Sequence, residues 1–276
     1  MLDLVFLAFA AASPAEDPSA RMTALLRGLV GDDQPGLAVL VRRNGRSVFE
    51  RGYGVRDLRA RSSIDARTSF RLASVTKQLT AAAVALLVRE GRLGYEDSLC
   101  DALPGFPAYG RDVTIRRLLT HTSGLPDYEQ LMEEVEAGGE QRWTPDRQIR
   151  DNEVLALLEK QAQGRFAPGG RWAYSNSGYV VLGLIAAQAA GRPFGDVLRE
   201  RIFAPLGMTR TLAFERGRNE VPDRAYGHTK GPAGFRETDQ SATSATLGDG
   251  GVYSSSKTSR SGTRRCARGR CCPRPR

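Results

Sequence analysis

A short antiparallel hairpin followed by a long, mostly helical stretch predicts an α+β fold. Two β-rich runs, Gly36 to Val41 and Ser47 to Tyr53, flank Asn44-Gly45, a dipeptide suited to a tight hairpin turn. A series of apolar runs with helical spacing follows, punctuated by Pro and Gly. The 276 residues contain no internal repeat and leave ample chain to bury a core.

The elements follow in order. Ala20 to Val30 has helical spacing at Met22, Leu25, Leu26 and Leu29, ahead of the hairpin. Thr68 to Leu72 reads as a short extended approach to a helix. Ser74 to Arg89 carries an almost unbroken apolar face (Leu79, Ala82, Ala83, Leu86, Leu87), as a buried helix should. Val113 to Leu119, Asn152 to Gln161, Gly178 to Ala190 and Phe194 to Ile202 read as further helices. Breaks fall at Pro126, Pro168-Gly169-Gly170, Gly191-Arg192-Pro193 and Pro205-Leu206-Gly207.

The composition, 41% hydrophobic and 26% charged, is that of a globular chain, not of a disordered or membrane-spanning one. A net charge of +9 raises nucleic acid as a partner. Its position argues otherwise. Ser256 to Arg276 holds eight Lys and Arg and no acid, which leaves 32 basic against 31 acidic side chains in the other 255 residues. The tail also lacks the aromatics that stack on bases. No nucleic-acid partner is expected, and binding through the tail stands as a remote alternative. Three of the four cysteines (Cys266, Cys271, Cys272) sit in the same tail, with Cys100 alone in the body. Adjacent Cys271 and Cys272 lack metal-ligand spacing, and His121 and His228 stand far apart. Neither a metal nor a cofactor is expected.

Leu4 to Ala12 is apolar and ends in small residues, too short to span a bilayer. It matches a secretory leader cleaved near Ala12 or Ala15, although Asp3 stands where a basic residue belongs. The expected organisation is a leader at 1–15, a body at 16–255 and a basic tail at 256–276 without a packed structure. The expected location is periplasmic or secreted, the alternative cytoplasmic.

The chemistry begins with Ser74-Val75-Thr76-Lys77 at a helix start. Residues three apart share a helical face, so the Lys77 ammonium can reach the Ser74 hydroxyl. A serine hydroxyl needs such a neighbour to act as a nucleophile near neutral pH. Alone, the tetrad equally fits a serine cap beside a solvated lysine. Tyr174-Ser175-Asn176 adds a phenol that could serve as a general base beside a lysine, and an amide that could bind substrate. His121, within Thr120-His121-Thr122-Ser123-Gly124-Leu125-Pro126, reads as a residue that holds its turn by hydrogen bonds. Gly248-Asp249-Gly250-Gly251-Val252-Tyr253-Ser254-Ser255 suits close backbone approach.

Together, Ser74-x-x-Lys77, the His121 to Pro126 loop, Pro168-Gly169 leading to Tyr174-Ser175-Asn176, and Gly250 to Ser254 resemble the penicillin-recognising serine hydrolases. These include class C β-lactamases, D-alanyl-D-alanine carboxypeptidases and related esterases. The resemblance runs from about Gly36 to Ser255. It implies an α/β fold of the β-lactamase/transpeptidase type, an antiparallel sheet built from the hairpin and C-terminal strands, flanked by helices, beside a helical domain. It also implies Ser74 as acylated nucleophile, Lys77 as its activator, Tyr174 as proton shuttle and Asn176 as substrate-amide ligand. The Ser74 N–H would be one oxyanion donor. The expected substrate is a small molecule or peptide: a D-Ala-D-Ala-like peptide, a β-lactam or an ester.

One departure stands out. The family's third motif, Lys or His, then Thr or Ser, then Gly, follows the glycine segment on a strand that gives the second oxyanion N–H. Here His228-Thr229-Lys230-Gly231 precedes that segment, so it is not assigned. The expectation is a C-terminally truncated member lacking its last sheet strands, with the tail from Ser256 a frame-shifted translation. Nucleotide sequence past codon 255 decides this. Half an oxyanion hole would cost about a hundredfold in rate, which leaves an inactive remnant as the alternative.

Overall fold

The computed structural model describes residues 17–139 and 141–258. The predicted leader and the tail from residue 259 lie outside the described residues. Helix α1 (Pro18–Leu26) starts at Asp17, whose carboxylate accepts the Ser19 N–H at 3.0 Å. Strands β1 (Leu37–Arg43) and β2 (Arg46–Tyr53) form the predicted hairpin, in register from Leu37 opposite Tyr53. Its turn residues Asn44 and Gly45 have φ of 49° and 75°, the positive pair that a twisted two-residue hairpin requires. Strands β3 (Val55–Asp57) and β4 (Ser62–Ser63) make a second antiparallel pair.

Strand β5 (Phe70–Arg71) leads through a 3₁₀ turn at Ala73–Val75 into α2 (Thr76–Arg89). The helical region continues with α3 (Leu99–Ala102), α4 (Ile115–Leu119), α5 (Tyr128–Glu136) and α6 (Asp151–Glu159). Then come α7 (Asn176–Ala190), α8 (Phe194–Leu198), a π-helical turn at Arg199–Phe203 and α9 (Ala204–Leu206). Four strands follow: β6 (Leu212–Ala213), β7 (His228–Gly231), β8 (Gly234–Glu237) and β9 (Val252–Ser254).

The mixed architecture is the predicted one, but the antiparallel structure comes in small pieces. Among the described residues β1 and β2 pair only with each other, while β9 lies between β5 and β6. Strand β5 stops after two residues because the chain turns at once into the 3₁₀ segment before α2. Helix α5 was not read from the sequence, although Tyr128, Leu131, Met132 and Val135 have helical spacing.

The core lies between α2 and α7. Ala83, Val84 and Leu87 of α2 are fully buried, as are Val180, Val181, Leu182 and Ala186 of α7. Helix α7 is apolar on almost every face because it has protein on every side. Close approach needs glycine at one point. A Cβ on Gly248 would sit 2.2 Å from the Tyr179 carbonyl oxygen, so the 248 segment lies directly on the α7 backbone. No helix among the described residues is long and apolar enough to cross a membrane. Ser256 to Thr258 form a last turn against the body, where Lys257 N–H donates to the Ala66 carbonyl at 3.0 Å.

Candidate active site

The start of α2 is held from two sides. Leu72 N–H donates to the Val252 carbonyl at 2.8 Å, and Val252 N–H donates to Thr76 Oγ1 at 3.2 Å. Between these ties Ala73 takes φ of 45°, a left-handed conformation that costs a residue with a Cβ about 1–2 kcal/mol. The turn leaves Ser74 exposed and Lys77, one turn on, only 6% exposed.

The structure brings together the four residues singled out in the sequence. Tyr174 OH donates to Ser74 Oγ at 2.8 Å, and Lys77 Nζ donates to the same oxygen at 3.3 Å. Lys77 also donates to Asn176 Oδ1 at 2.8 Å and to the Asp249 carbonyl at 3.0 Å. Its three N–H groups therefore each meet a neutral oxygen. The ammonium lies 5.0 Å from the Tyr174 ring centroid and 5.6 Å from that of Tyr179. Asn176 is the first residue of α7, with Ser175 as its cap accepting the Gly178 N–H at 3.0 Å.

Two acidic residues near this cluster were not found in the sequence. Glu129, in the first turn of α5, accepts from Asn176 Nδ2 at 3.4 Å. Burial pushes its carboxyl above the ordinary value, and the charges of Asp127 and Asp249 act the same way. Asp249 is 6% exposed; burial raises its carboxyl too, against the opposing pull of the Thr246 hydroxyl and the Lys77 cation. Tyr128 OH donates to its Oδ2 at 3.3 Å, while Oδ1 has no hydrogen-bond partner among the described residues. Only the position of Glu129, three residues beyond Pro126, hinted at its place. Asp249 acts on Lys77 through its carbonyl, which leaves no side-chain signal.

His121 receives the Ser175 N–H on Nδ1 at 3.1 Å, and its ring lies beside those of Tyr174, Tyr179 and Trp172. The unassigned His228 to Gly231 run forms β7, which among the described residues pairs only with β8. A cavity of about 270 Å³ opens beside Tyr174, with Asp127, Arg165, Arg171 and Trp172 in its wall. Ser74 is not among its lining residues; Tyr174 and Ser175 are the site residues it borders.

This arrangement has counterparts. The Beta-lactamase family matches residues 22–261. Penicillin-binding protein 4* of Bacillus subtilis (strain 168) is 34% identical over 193 residues, 69% of this chain and 41% of that protein. D-aminopeptidase of Brucella ovis is 33% identical over 180 residues, covering 63% of this chain and 32% of the relative. The chain thus spans about two fifths or less of these curated relatives. The penicillin-binding protein from Bacillus halodurans superposes with a TM-score of 0.71 at 26% identity, over 85% of this chain and 69% of that one. The D-amino acid amidase from Ochrobactrum anthropi SV3, complexed with L-phenylalanine, gives 0.72 at 26% identity, over 90% and 67%.

Proposed function

Because the chain belongs to the Beta-lactamase family, we propose that it is a hydrolase acting through an acyl-serine intermediate, with Ser74 as nucleophile. The observation that carries this reading is the pair of donors on Ser74 Oγ, Tyr174 at 2.8 Å and Lys77 at 3.3 Å. Ser74 Oγ attacks the substrate carbonyl, and its proton passes to the Tyr174 oxygen as Tyr174 hands the proton it already carries to the departing amine or alcohol. The resting hydrogen bond reverses in that step. In deacylation the attacking water gives its proton to Tyr174 while Tyr174 returns its own to Ser74 Oγ, which restores the resting enzyme. The Ser74 N–H stabilises the oxyanion, a type of contact worth about 2.7–4 kcal/mol of barrier. Asn176, held by Lys77, positions the substrate amide.

The substrate class is an amide or ester next to a D-residue, β-lactams included. Within it, Glu129 favours a substrate with a free amino group, since a partly buried carboxylate 3.4 Å from Asn176 offers an ammonium a partner. The relatives named D-aminopeptidase and D-amino acid amidase fit this narrower reading. Turnover of D-alanyl p-nitroanilide, free and N-acetylated, tests both levels. One equivalent of p-nitroaniline released in a burst, absent in Ser74→Ala, supports the acyl-serine reading. A kcat/KM about tenfold higher for the free amine, abolished in Glu129→Gln, supports the narrower one. Equal rates for both substrates contradict it. A folded protein without turnover of either substrate, or of a β-lactam or ester, overturns the broad reading.

Export belongs to the same proposal. A native protein beginning at Ser13 or Glu16 supports a periplasmic or secreted enzyme, and an intact Met1 contradicts it. The near-neutral body supports a substrate as the partner and not a nucleic acid.

A further inference from the structure

We propose that His121 is the positioning residue for Tyr174, and that it acts only as a neutral imidazole with its proton on Nε2. The inference rests on the acyl-serine reading above, in which Tyr174 moves the Ser74 proton. His121 holds the residues on both sides of Tyr174. Ala173 N–H donates to the His121 carbonyl at 2.9 Å, and Ser175 N–H donates to its Nδ1 at 3.1 Å. The imidazole stacks on the phenol between them, with centroids 4.7 Å apart and planes 28° apart. Tyr174 is 48% exposed, so burial alone does not fix a ring whose oxygen must stay 2.8 Å from Ser74 Oγ.

His121 takes this place at a φ of 59°, just past the end of α4. That left-handed backbone turns both its carbonyl and its ring toward the 173–175 segment, and asparagine is among the few other residues that adopt it readily.

The hydrogen bond dictates the protonation state. Nδ1 accepts, so it carries no proton. A proton there would set two N–H donors against each other and place a second cation near Lys77. The titratable groups facing the ring are Lys77 of α2, Tyr174 itself and Tyr179 of α7, with Trp172 at the edge. Burial and then the Lys77 charge hold the imidazole below its ordinary 6.5. At neutral pH the contact is therefore intact. As pH falls through that lowered value His121 gains a proton, releases Ser175 and frees Tyr174.

Asparagine at this position offers an acceptor oxygen, tolerates the backbone and cannot titrate, whereas leucine fills space without an acceptor. The test measures Ser74 acylation by an activated p-nitrophenyl ester in His121→Asn and His121→Leu, alone and combined with Tyr174→Phe, between about pH 4.5 and 8.5. Displacing a reacting group by about 1 Å costs roughly a hundredfold. His121→Leu is expected to slow acylation about tenfold to a hundredfold, with little change in the concentration of probe that gives half the maximal rate. His121→Asn recovers most of that loss and lacks the acid limb seen in the wild type. Neither change slows Tyr174→Phe further. Equal slowing in the Tyr174→Phe background, or an unaltered acid limb in His121→Asn, overturns the proposal. If the leucine variant does not fold, the asparagine profile and its cycle with Tyr174→Phe decide the matter. A wild type that is never acylated at Ser74 overturns the acyl-serine reading, and positioning is then read by NMR of ¹³C-labelled tyrosine. A Tyr174 resonance that titrates below pH 6.5 in the wild type but not in His121→Asn supports it, and one that does not titrate in the wild type overturns it.

Discussion

Lys77 donates to Ser74 Oγ, Asn176 Oδ1 and the Asp249 carbonyl while remaining 6% exposed. A nearly buried cation is costly to create, and here its hydrogens are matched by fixed oxygens. Replacing Lys77 by Met keeps the bulk of the stem and removes the charge. The expected loss in acylation rate is about 10²–10⁴-fold, read with any probe that labels Ser74. A variant that acylates within a factor of a few would show that Tyr174 works unaided. The Ser74–Lys77 contact was legible in the sequence because it is local, one helical turn. Tyr174 and Asn176 lie about a hundred residues away and were legible only as part of an ordered set of motifs. The Asp249 carbonyl was not legible, since a main-chain oxygen has no residue-type signal. Glu129 sits on an exposed-looking acidic helix, and only the packing of α5 against the start of α7 brings it to Asn176.

The elements divide the same way. The hairpin, α2 and α7 could be read because each has a strong local cause: an Asn-Gly turn, an apolar face, and a run apolar on almost every side. Strand β5 falls within the extended approach read at Thr68 to Leu72, but β6 and β9 could not be read residue by residue, because two or three residues carry no period and tertiary hydrogen bonds define them. What places the site is the junction of β9, the turn before α2 and the 248 segment. Thr80 Oγ1 donates to the Gly248 carbonyl at 2.6 Å, one residue before the carbonyl that receives Lys77. Gly248→Ala sets a methyl 2.2 Å from the Tyr179 oxygen and must push this segment off α7. The expected cost is about 3 kcal/mol, the upper end for overpacking, seen as a lower urea midpoint with an unchanged slope. Activity should fall with it, because Asp249 moves with Gly248. Unchanged stability would mean that the two backbones are not in contact.

At the scale of the whole molecule, the +9 charge describes the end of the chain, and the body is close to neutral. Its pH response therefore depends on particular buried groups. Asp249 is one, with its carboxyl raised by burial and one oxygen unpartnered. A group raised in the folded state stabilises fully below its unfolded value, near 3.8, and loses that contribution as pH rises through the raised value. Asp249→Asn keeps the shape, the Tyr128 contact and the carbonyl that holds Lys77, but has no charge to bury. It should melt higher than the wild type at pH 8, with the gap closing toward pH 4. A variant that melts lower at pH 8 would identify Asp249 as the ionised counter-charge of Lys77. Above all these stands the claim that Ser74 becomes acylated. The most direct test is peptide mass mapping after brief exposure to a fluorophosphonate, which phosphonylates the same nucleophile, with the wild type compared against Lys77→Met and Tyr174→Phe. The account predicts one adduct per chain, on the peptide containing Ser74, formed far more slowly in both variants. An adduct on any other residue, or a Ser74 adduct formed at the same rate in all three proteins, would contradict it.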